Sequence, residues 1–355
     1  MSRASLASVN PEPLLEWYRR EQRPLPWRAS RDPYAIWISE AMLQQTRVET
    51  ARSYWRRFLE RFPDVGSLAA AEEDEVLALW SGLGYYRRAR SLLAAARTIV
   101  REHGGRFPTT RGELLALPGV GPYTAGAVLS IAFDQPEAVV DGNVGRVFCR
   151  WFGLEGDPSA GATLRELWAR ARALVPERGS GEWNQALMEL GARVCTPTAP
   201  ACEGCPLAPA CVARAQARVH ELPRPKARKH TVAVELEVLL ARRGGSVLLE
   251  RRPEEGRMAG LWQPPTIEVR RDGPGQGLFP SVWPGGGILI AGRALGEVRH
   301  TITHHRIRAR VRSGGLARGA RVRPPLAWFP AARLRRAALT GMARKILAEP
   351  LGEPV

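Results

Sequence analysis

The sequence predicts two domains, an all-α domain followed by a smaller α+β domain, and three observations predict it. From Pro11 to about Ala217, apolar residues recur every three or four positions between prolines and glycines. The stretch His220–His230 (HELPRPKARKH) is polar, basic and proline-containing, as a linker would be. Beyond it the period drops to two: Val232, Val234, Leu236 and Val238 alternate with Ala233, Glu235 and Glu237. The expected boundaries are 1–217 for the α domain, 218–230 for the linker and 231–355 for the second domain.

Within the first domain the helical period runs through Ile36–Phe62, Glu75–Val100 and Ala162–Val175, and no strand is expected before residue 230. In the second, Val247–Glu250 and Gly287–Ala291 read as short strands. Ile307, Ala309 and Val311 alternate with Arg306, Arg308, Arg310 and Arg312, so a strand there places four arginines on one face. Arg270–Gly287, rich in glycine and proline, reads as a loop, and a helix from Ala331 to Leu347 closes the domain.

The chain has 355 residues, long enough for two domains, and 45% are hydrophobic, enough for a core in each. Lys+Arg number 52 against 35 Asp+Glu, a net charge of +17. That excess calls for a polyanionic partner, nucleic acid first, although an arginine-rich composition also follows from base composition alone. Only Lys226, Lys229 and Lys345 are lysines, so residues 1–225 hold no side-chain primary amine. Met1–Asn10 has no apolar core of signal-peptide length and no stretch of about 18 apolar residues occurs, so no membrane span is expected. Five cysteines without an export signal argue against a disulfide framework. A cytoplasmic monomer associated with nucleic acid is expected.

Cys195, Cys202, Cys205 and Cys211 follow a C-x6-C-x2-C-x5-C spacing in a proline-rich loop (195–211) too short for a core of its own. A metal centre would supply the missing staple; the spacing alone suits either zinc or a [4Fe–4S] cluster. Cys149 lies outside the set. Leu117-Pro118-Gly119-Val120-Gly121 places a tight turn before an apolar helical run from Thr124 to Phe133. Backbone N–H groups at Gly119, Val120 and Gly121 suit a phosphate, and the turn equally suits two packed helices. Downstream, Val140-Asp141-Gly142-Asn143-Val144 sets an acid before Gly-Asn, either as a helix cap or as a carboxylate beside the hairpin.

Together the LPGVG hairpin, the VDGNV aspartate and the four-cysteine spacing resemble the helix-hairpin-helix base-excision glycosylases with an iron–sulfur loop. Within that group the chain resembles the MutY-like branch. Pro33–Thr46 (PYAIWISEAMLQQT), Leu25-Pro26-Trp27-Arg28 and Trp80–Tyr86 (WSGLGYY) match its signatures. Arg299–His304 (RHTITH) and Gly260–Pro265 (GLWQPP) are similar to its Nudix-like domain. The likeness covers about Pro13 to Leu347. It implies a helix-hairpin-helix glycosylase domain with a [4Fe–4S] loop, then an α+β Nudix-like domain that senses the lesion.

The resemblance implies excision of adenine mispaired with 8-oxoguanine or guanine in double-stranded DNA. Glu40 would protonate the adenine, Asp141 would stabilise or trap the sugar cation, and Tyr123 and Asn143 would order the site. Trp27 and Leu43 would sandwich the flipped base, Arg28 and Gln185 bond its edge, and Val48 shape the wall. Gln45 and Tyr85 would wedge into the duplex, with Leu83 and Thr46 near the opposite base. Thr303 and His304 would contact the lesion, and the four cysteines would hold the cluster. Endonuclease III-like relatives carry lysine where Tyr123 stands, so a glycosylase without lyase chemistry is expected. The rival readings are a thymine–guanine mismatch glycosylase and an endonuclease III-like glycosylase/lyase. The sensing loop departs from the family: Ile302-Thr303-His304 replaces Phe-Ser-His, keeping a hydroxyl and losing an aromatic face. Gly145 stands where some relatives have lysine. A nucleotide hydrolase in the second domain would need a glutamate-rich helix for magnesium, and residues 255–300 contain only Glu255, Glu268 and Glu297, which predicts a binding module.

Overall fold

The computed structural model describes residues 10–224, 230–256, 258–272, 277–334 and 337–348. The chain divides into two compact units, one formed by 1–70 with 94–227 and the other by 71–93 with 228–355. The central part of the expected linker, 225–229, lies outside the described residues.

The described α-helices before residue 230 are α1 (Glu12–Glu21), α2 (Pro33–Leu43), α3 (Val48–Arg61), α4 (Val65–Ala69), α5 (Glu73–Trp80), α6 (Arg87–His103), α7 (Arg111–Ala116), α8 (Pro122–Phe133), α9 (Gly142–Phe152), α10 (Gly161–Leu174), α11 (Ser180–Arg193) and α12 (Val212–Ala215). Among the described residues no strand precedes Val232. The 36–62 run is two helices broken at Gln44–Arg47. The first is buried from Tyr34 through Met42, so its apolar residues surround it and do not form a stripe. Asp32 starts it by accepting the Tyr34 and Ala35 N–H groups (3.0 and 3.3 Å), with Pro33 in the first turn.

A capping box between Thr110 and Glu113 starts α7. The turn that follows needs a left-handed residue, and Gly119 supplies it at φ 76°. The core of this unit packs Leu14 and Trp17 of α1, Val144 and Phe148 of α9, and Trp183, Leu187 and Leu190 of α11. Gly191 lets α11 approach the start of α9: a Cβ there would lie 2.7 Å from the Asn143 Cβ.

In the second unit the strands β1 (Val232–Arg243), β2 (Ser246–Arg251), β3 (Trp262–Gln263), β4 (Thr266–Arg271), β5 (Leu289–Ile302), β6 (His305–Leu316) and β7 (Leu326–Pro330) form one sheet. Its order is β3-β2-β1-β6-β5, with β4 on β1 and β7 on β2. β1 and β6 run parallel from Val232↔His305 to Ala241↔Gly314. Val234, Leu236, Val238, Ile307, Ala309 and Val311 face the core with Met342 and Ile346 of a C-terminal helix. The opposite face carries the four arginines, where Arg310 meets Glu235 at 3.3 Å and Arg308 pairs with Glu297.

Three expectations are revised here. The strand read as 287–291 continues to Ile302 through register shifts around Ala294. Of the loop read as 270–287, Arg270 and Arg271 complete β4, while 273–276 lie outside the described residues. The single closing helix is two pieces, α13 (Ala331–Leu334) and α14 (Gly341–Ala348). Between them Trp262 N–H donates to the Ala338 carbonyl (2.8 Å) and Thr340 N–H to the Trp262 carbonyl (3.0 Å), so the chain is held extended. Residues 71–93 join this unit through Ser81, which donates to the Leu339 carbonyl (2.8 Å), and Arg90, which donates to the Ala259 carbonyl (2.6 Å).

Candidate active site

In the first unit, a slot of about 680 Å³ opens between α2, the hairpin and the start of α9. It brings together Trp27, Arg28, Glu40, Leu43, Gln45, Thr46, Val48, Tyr123, Asp141, Asn143 and Gln185, with Gly119 and Gly121 at its edge. Val120 turns inward, its N–H donating to the Leu117 carbonyl (3.1 Å). Gln45 sits at φ 60°, just past the end of α2. Four other predicted residues, Leu83, Tyr85, Thr303 and His304, belong to the second unit. Leu83 is buried; Tyr85 is half exposed (50%) at φ 49°. Thr303, at φ 54°, and His304 form the tight turn joining β5 to β6, and His304 lines a cleft of that unit.

Glu40 projects from α2 with 5% of its surface exposed. Its carboxylate accepts a hydrogen bond from the Tyr123 hydroxyl, 2.5 Å from Oε2. Burial pushes its carboxyl up to about 7 and the Asp141 charge adds to the rise, while the Tyr123 hydroxyl and Arg28 oppose it. Burial keeps the Tyr123 phenol well above its ordinary value, so it remains a donor, and its oxygen also lies 3.3 Å from the Met188 sulfur.

Asp141 is the N-cap of α9. Its Oδ1 accepts the Val144 N–H at 2.7 Å and its Oδ2 the Asn143 side-chain amide at 3.1 Å. Burial raises its carboxyl; the Val144 and Asn143 N–H groups, the Asn143 amide and Arg146 counter that rise. The helix N-terminus favours the same anion. Two carboxyls thus face one slot in unlike surroundings. Asp141, held by several donors, is the one that ionises first; Glu40, held by one phenol, is the one that keeps a proton near neutrality.

Sequence reasoning missed two charged residues of the slot, Arg23 and Glu189. Glu189 is wholly buried and pairs with Arg23 at 2.7 Å and Arg28 at 2.8 Å. A signal existed: Glu189 falls four positions after Gln185 on the same helix, hence on the same face, in an otherwise apolar stretch.

The cysteine loop follows α11. Cys195, Cys202, Cys205 and Cys211 are each half-buried, and Cys205 and Cys211 lie within electrostatic reach of the other three. Buried Arg150 donates to the Cys195 sulfur (3.3 Å) and the carbonyls of Thr196 (2.7 Å), Pro197 (3.2 Å) and Leu222 (2.8 Å). Arg146, one turn earlier, joins the Cys195 carbonyl (2.8 Å) to the Asn143 side chain (2.9 Å). Among the described residues, no group of three or more His, Cys, Asp or Glu side chains is set to hold a metal ion. In the second unit Glu268 is occupied by the Leu278 and Phe279 N–H groups (2.7 and 3.1 Å) and Glu297 by Arg308.

Residues 38–173 match the family model of the HhH-GPD superfamily base excision DNA repair proteins, and 237–349 that of the NUDIX domain. An adenine DNA glycosylase of Rattus norvegicus is 36% identical over 94% of this chain and 76% of its own length. The chain belongs to the adenine DNA glycosylase family. The human adenine DNA glycosylase is 38% identical over 82% of this chain and 64% of its own. A solved thermostable thymine-DNA glycosylase superposes with a TM-score of 0.54 at 30% identity, over 60% of this chain and 98% of its own. The family assignment agrees with the fold: an N-terminal all-α HhH-GPD domain and a C-terminal α+β Nudix-like domain. No described helix is long and apolar enough to cross a membrane.

Proposed function

We propose that this chain hydrolyses the glycosidic bond of adenine mispaired with 8-oxoguanine or guanine in duplex DNA and leaves the strand intact. The observation that carries the reading is the pair of carboxyls facing one slot in unlike surroundings, Glu40 held by the Tyr123 hydroxyl alone and Asp141 by the Val144 N–H and the Asn143 amide at a helix N-terminus, with no lysine in residues 1–225. A base inside a duplex is out of reach, so the nucleotide is flipped into the slot at a cost of roughly a few kcal/mol. Trp27 and Leu43 hold the ring; Arg28 and Gln185 meet its polar edge.

Adenine leaves poorly as an anion. Glu40 delivers its proton to N7, the C1′–N9 bond breaks, and the bonding pair departs with the neutral base. The sugar gains oxocarbenium character, and ionised Asp141 stabilises it or bonds to it. Water then adds to C1′ while Glu40 takes the proton that water loses, which restores the starting state. Tyr123 orients Glu40, and Asn143 orients Asp141. A Schiff base needs an amine, and the first 225 residues supply no lysine for one. Thr303 and His304 supply the contacts proposed for the opposite base, and Gln45 and Tyr85 those that replace the flipped nucleotide.

The four thiols fit a [4Fe–4S] cluster. They are soft donors within electrostatic reach of one another. Cys195, Cys202, Cys205 and Cys211 would hold it. When bound it would staple the loop; no step of the base excision is assigned to it. Single-turnover assays on duplexes with adenine opposite 8-oxoguanine, guanine or thymine test the function. Free adenine with strand breaks only after alkali is expected; release of thymine from a guanine mispair, or breaks without alkali, would move the assignment to one of its relatives.

A further inference from the structure

Glu189 lies on α11 with its side chain fully buried, 0% exposed. An anion is kept in a protein interior only when it is paired. Its Oε1 accepts the Arg23 backbone N–H (3.0 Å) and Arg23 Nε (2.8 Å), and its Oε2 accepts Arg23 Nη2 (2.7 Å) and Arg28 Nη2 (2.8 Å). Burial alone would raise the carboxyl, but the two guanidiniums outweigh it and bring it down to about 2. Glu189 is therefore an anion throughout the neutral range.

The consequence falls on Arg28. Its Nη2 is fixed by Glu189, its Nη1 by the Arg23 carbonyl (3.1 Å), and its guanidinium stands 5.5 Å from the Tyr18 ring centroid. Arg28 also lines the slot, so the rest of its fork is left for the base. The charge on that fork has the wrong sign for the chemistry. It opposes a proton on Glu40, and it would oppose the positive charge that a base acquires on protonation.

We propose that Glu189 is a positioning residue that fixes the Arg28 guanidinium and cancels its charge at the wall of the slot. The inference rests on the adenine reading, because it requires a base that turns cationic as it leaves. Arg23, at the rim and 30% exposed, is screened by water, so the uncancelled unit of charge in the trio lies on the solvent side. The groups that face Glu40 are Tyr123 from α8, Asp141 from the cap of α9 and Arg28 from the turn Pro26–Arg28; its own helix carries no other charge. Among these, Arg28 is the one Glu189 touches.

The test is the pH profile of single-turnover adenine release from a guanine mispair. Glu189→Gln is expected to displace the fall in rate at high pH downward by about one unit, which is about tenfold at pH 7.5. Below the displaced fall the rate recovers toward wild type, and mispair binding is unchanged. Glu189→Asp, which keeps the charge, holds the fall at the wild-type pH. Arg28→Gln together with Glu189→Gln removes both charges, leaves only the part-exposed Arg23 without its partner where the single variant fails to fold, and also returns the fall to the wild-type pH. A uniform loss of rate at every pH in Glu189→Gln, or a fall still displaced in the paired variant, would overturn the proposal. The wild-type arm tests the adenine reading separately: without adenine release there, that reading fails before Glu189 is reached.

Discussion

Replacing Glu40 by glutamine is expected to make the protein more stable, and only above a certain pH. The Glu40 carboxyl rises from 4.5 to about 7 on folding, chiefly because burial disfavours its charged form. The folded chain binds that proton more tightly than the unfolded chain does. The resulting stability is complete below pH 4.5 and is lost as the pH rises through 7. At about 1.4 kcal/mol per unit, the two-and-a-half-unit rise leaves a fold that carries a penalty of roughly 3 kcal/mol at pH 8.5. Glu40→Gln is neutral at every pH and keeps an acceptor for the Tyr123 hydroxyl, so it escapes the penalty. Its advantage over wild type should be small at pH 5 and grow to roughly 3 kcal/mol at pH 8.5. Hydrogen exchange of the α2 and α8 amides reports the opening free energy of this unit alone. A gap between variant and wild type that stays constant from pH 5 to 8.5 would refute the reasoning, because it would mean that Glu40 folds with an ordinary carboxyl.

Three further outcomes follow from the same contacts. Tyr123→Phe removes a donor that holds the Glu40 carboxyl down; the fall of the excision rate at high pH should move above pH 7 in a single-turnover profile, and an unmoved or lowered fall would contradict the assigned contact. Gly191→Ala drives a methyl into the Asn143 Cβ at 2.7 Å, so it should cost about 1–3 kcal/mol by urea unfolding, and excision should drop as Asn143 is displaced; an unchanged midpoint and rate would show that the close approach is dispensable. Cys202→Ser should lower iron content and the visible absorbance of purified protein if the four thiols hold a cluster, and zinc at one ion per chain in wild type would replace that assignment.

Much of the catalytic slot was legible because its residues fall in short contiguous segments. Glu40, Leu43, Gln45 and Thr46 stand on or just past one helix, and Asp141 and Asn143 on one helix cap, so the resemblance of those short segments to family signatures pointed to them. Glu189 was not read, because its role is set by Arg23 and Arg28, more than 160 positions away; its spacing from Gln185 marks its helix face and does not name those partners. Pattern also misjudged α2: a helix enclosed on all sides is apolar on all sides, and its break at Gln44–Arg47 contains neither proline nor glycine. In the second unit the strands β1 and β6 alternated plainly because one face is core and the other solvent. β3 and β7 did not, being two and five residues long. The interruption between α13 and α14 was invisible because it comes from pairing with Trp262, a contact made by tertiary structure.

The central claim is that two carboxyls in opposite protonation states break one glycosidic bond. The most direct measurement is single-turnover release of adenine from an 8-oxoguanine mispair by wild type, Glu40→Gln and Asp141→Asn, with and without alkali, beside a binding assay on the same duplex. Asparagine can still cap α9 at Asp141, so both variants should fold. The account predicts tight binding by all three proteins, adenine release by wild type alone, and strand breaks only after alkali. Near-normal release by either variant would contradict it.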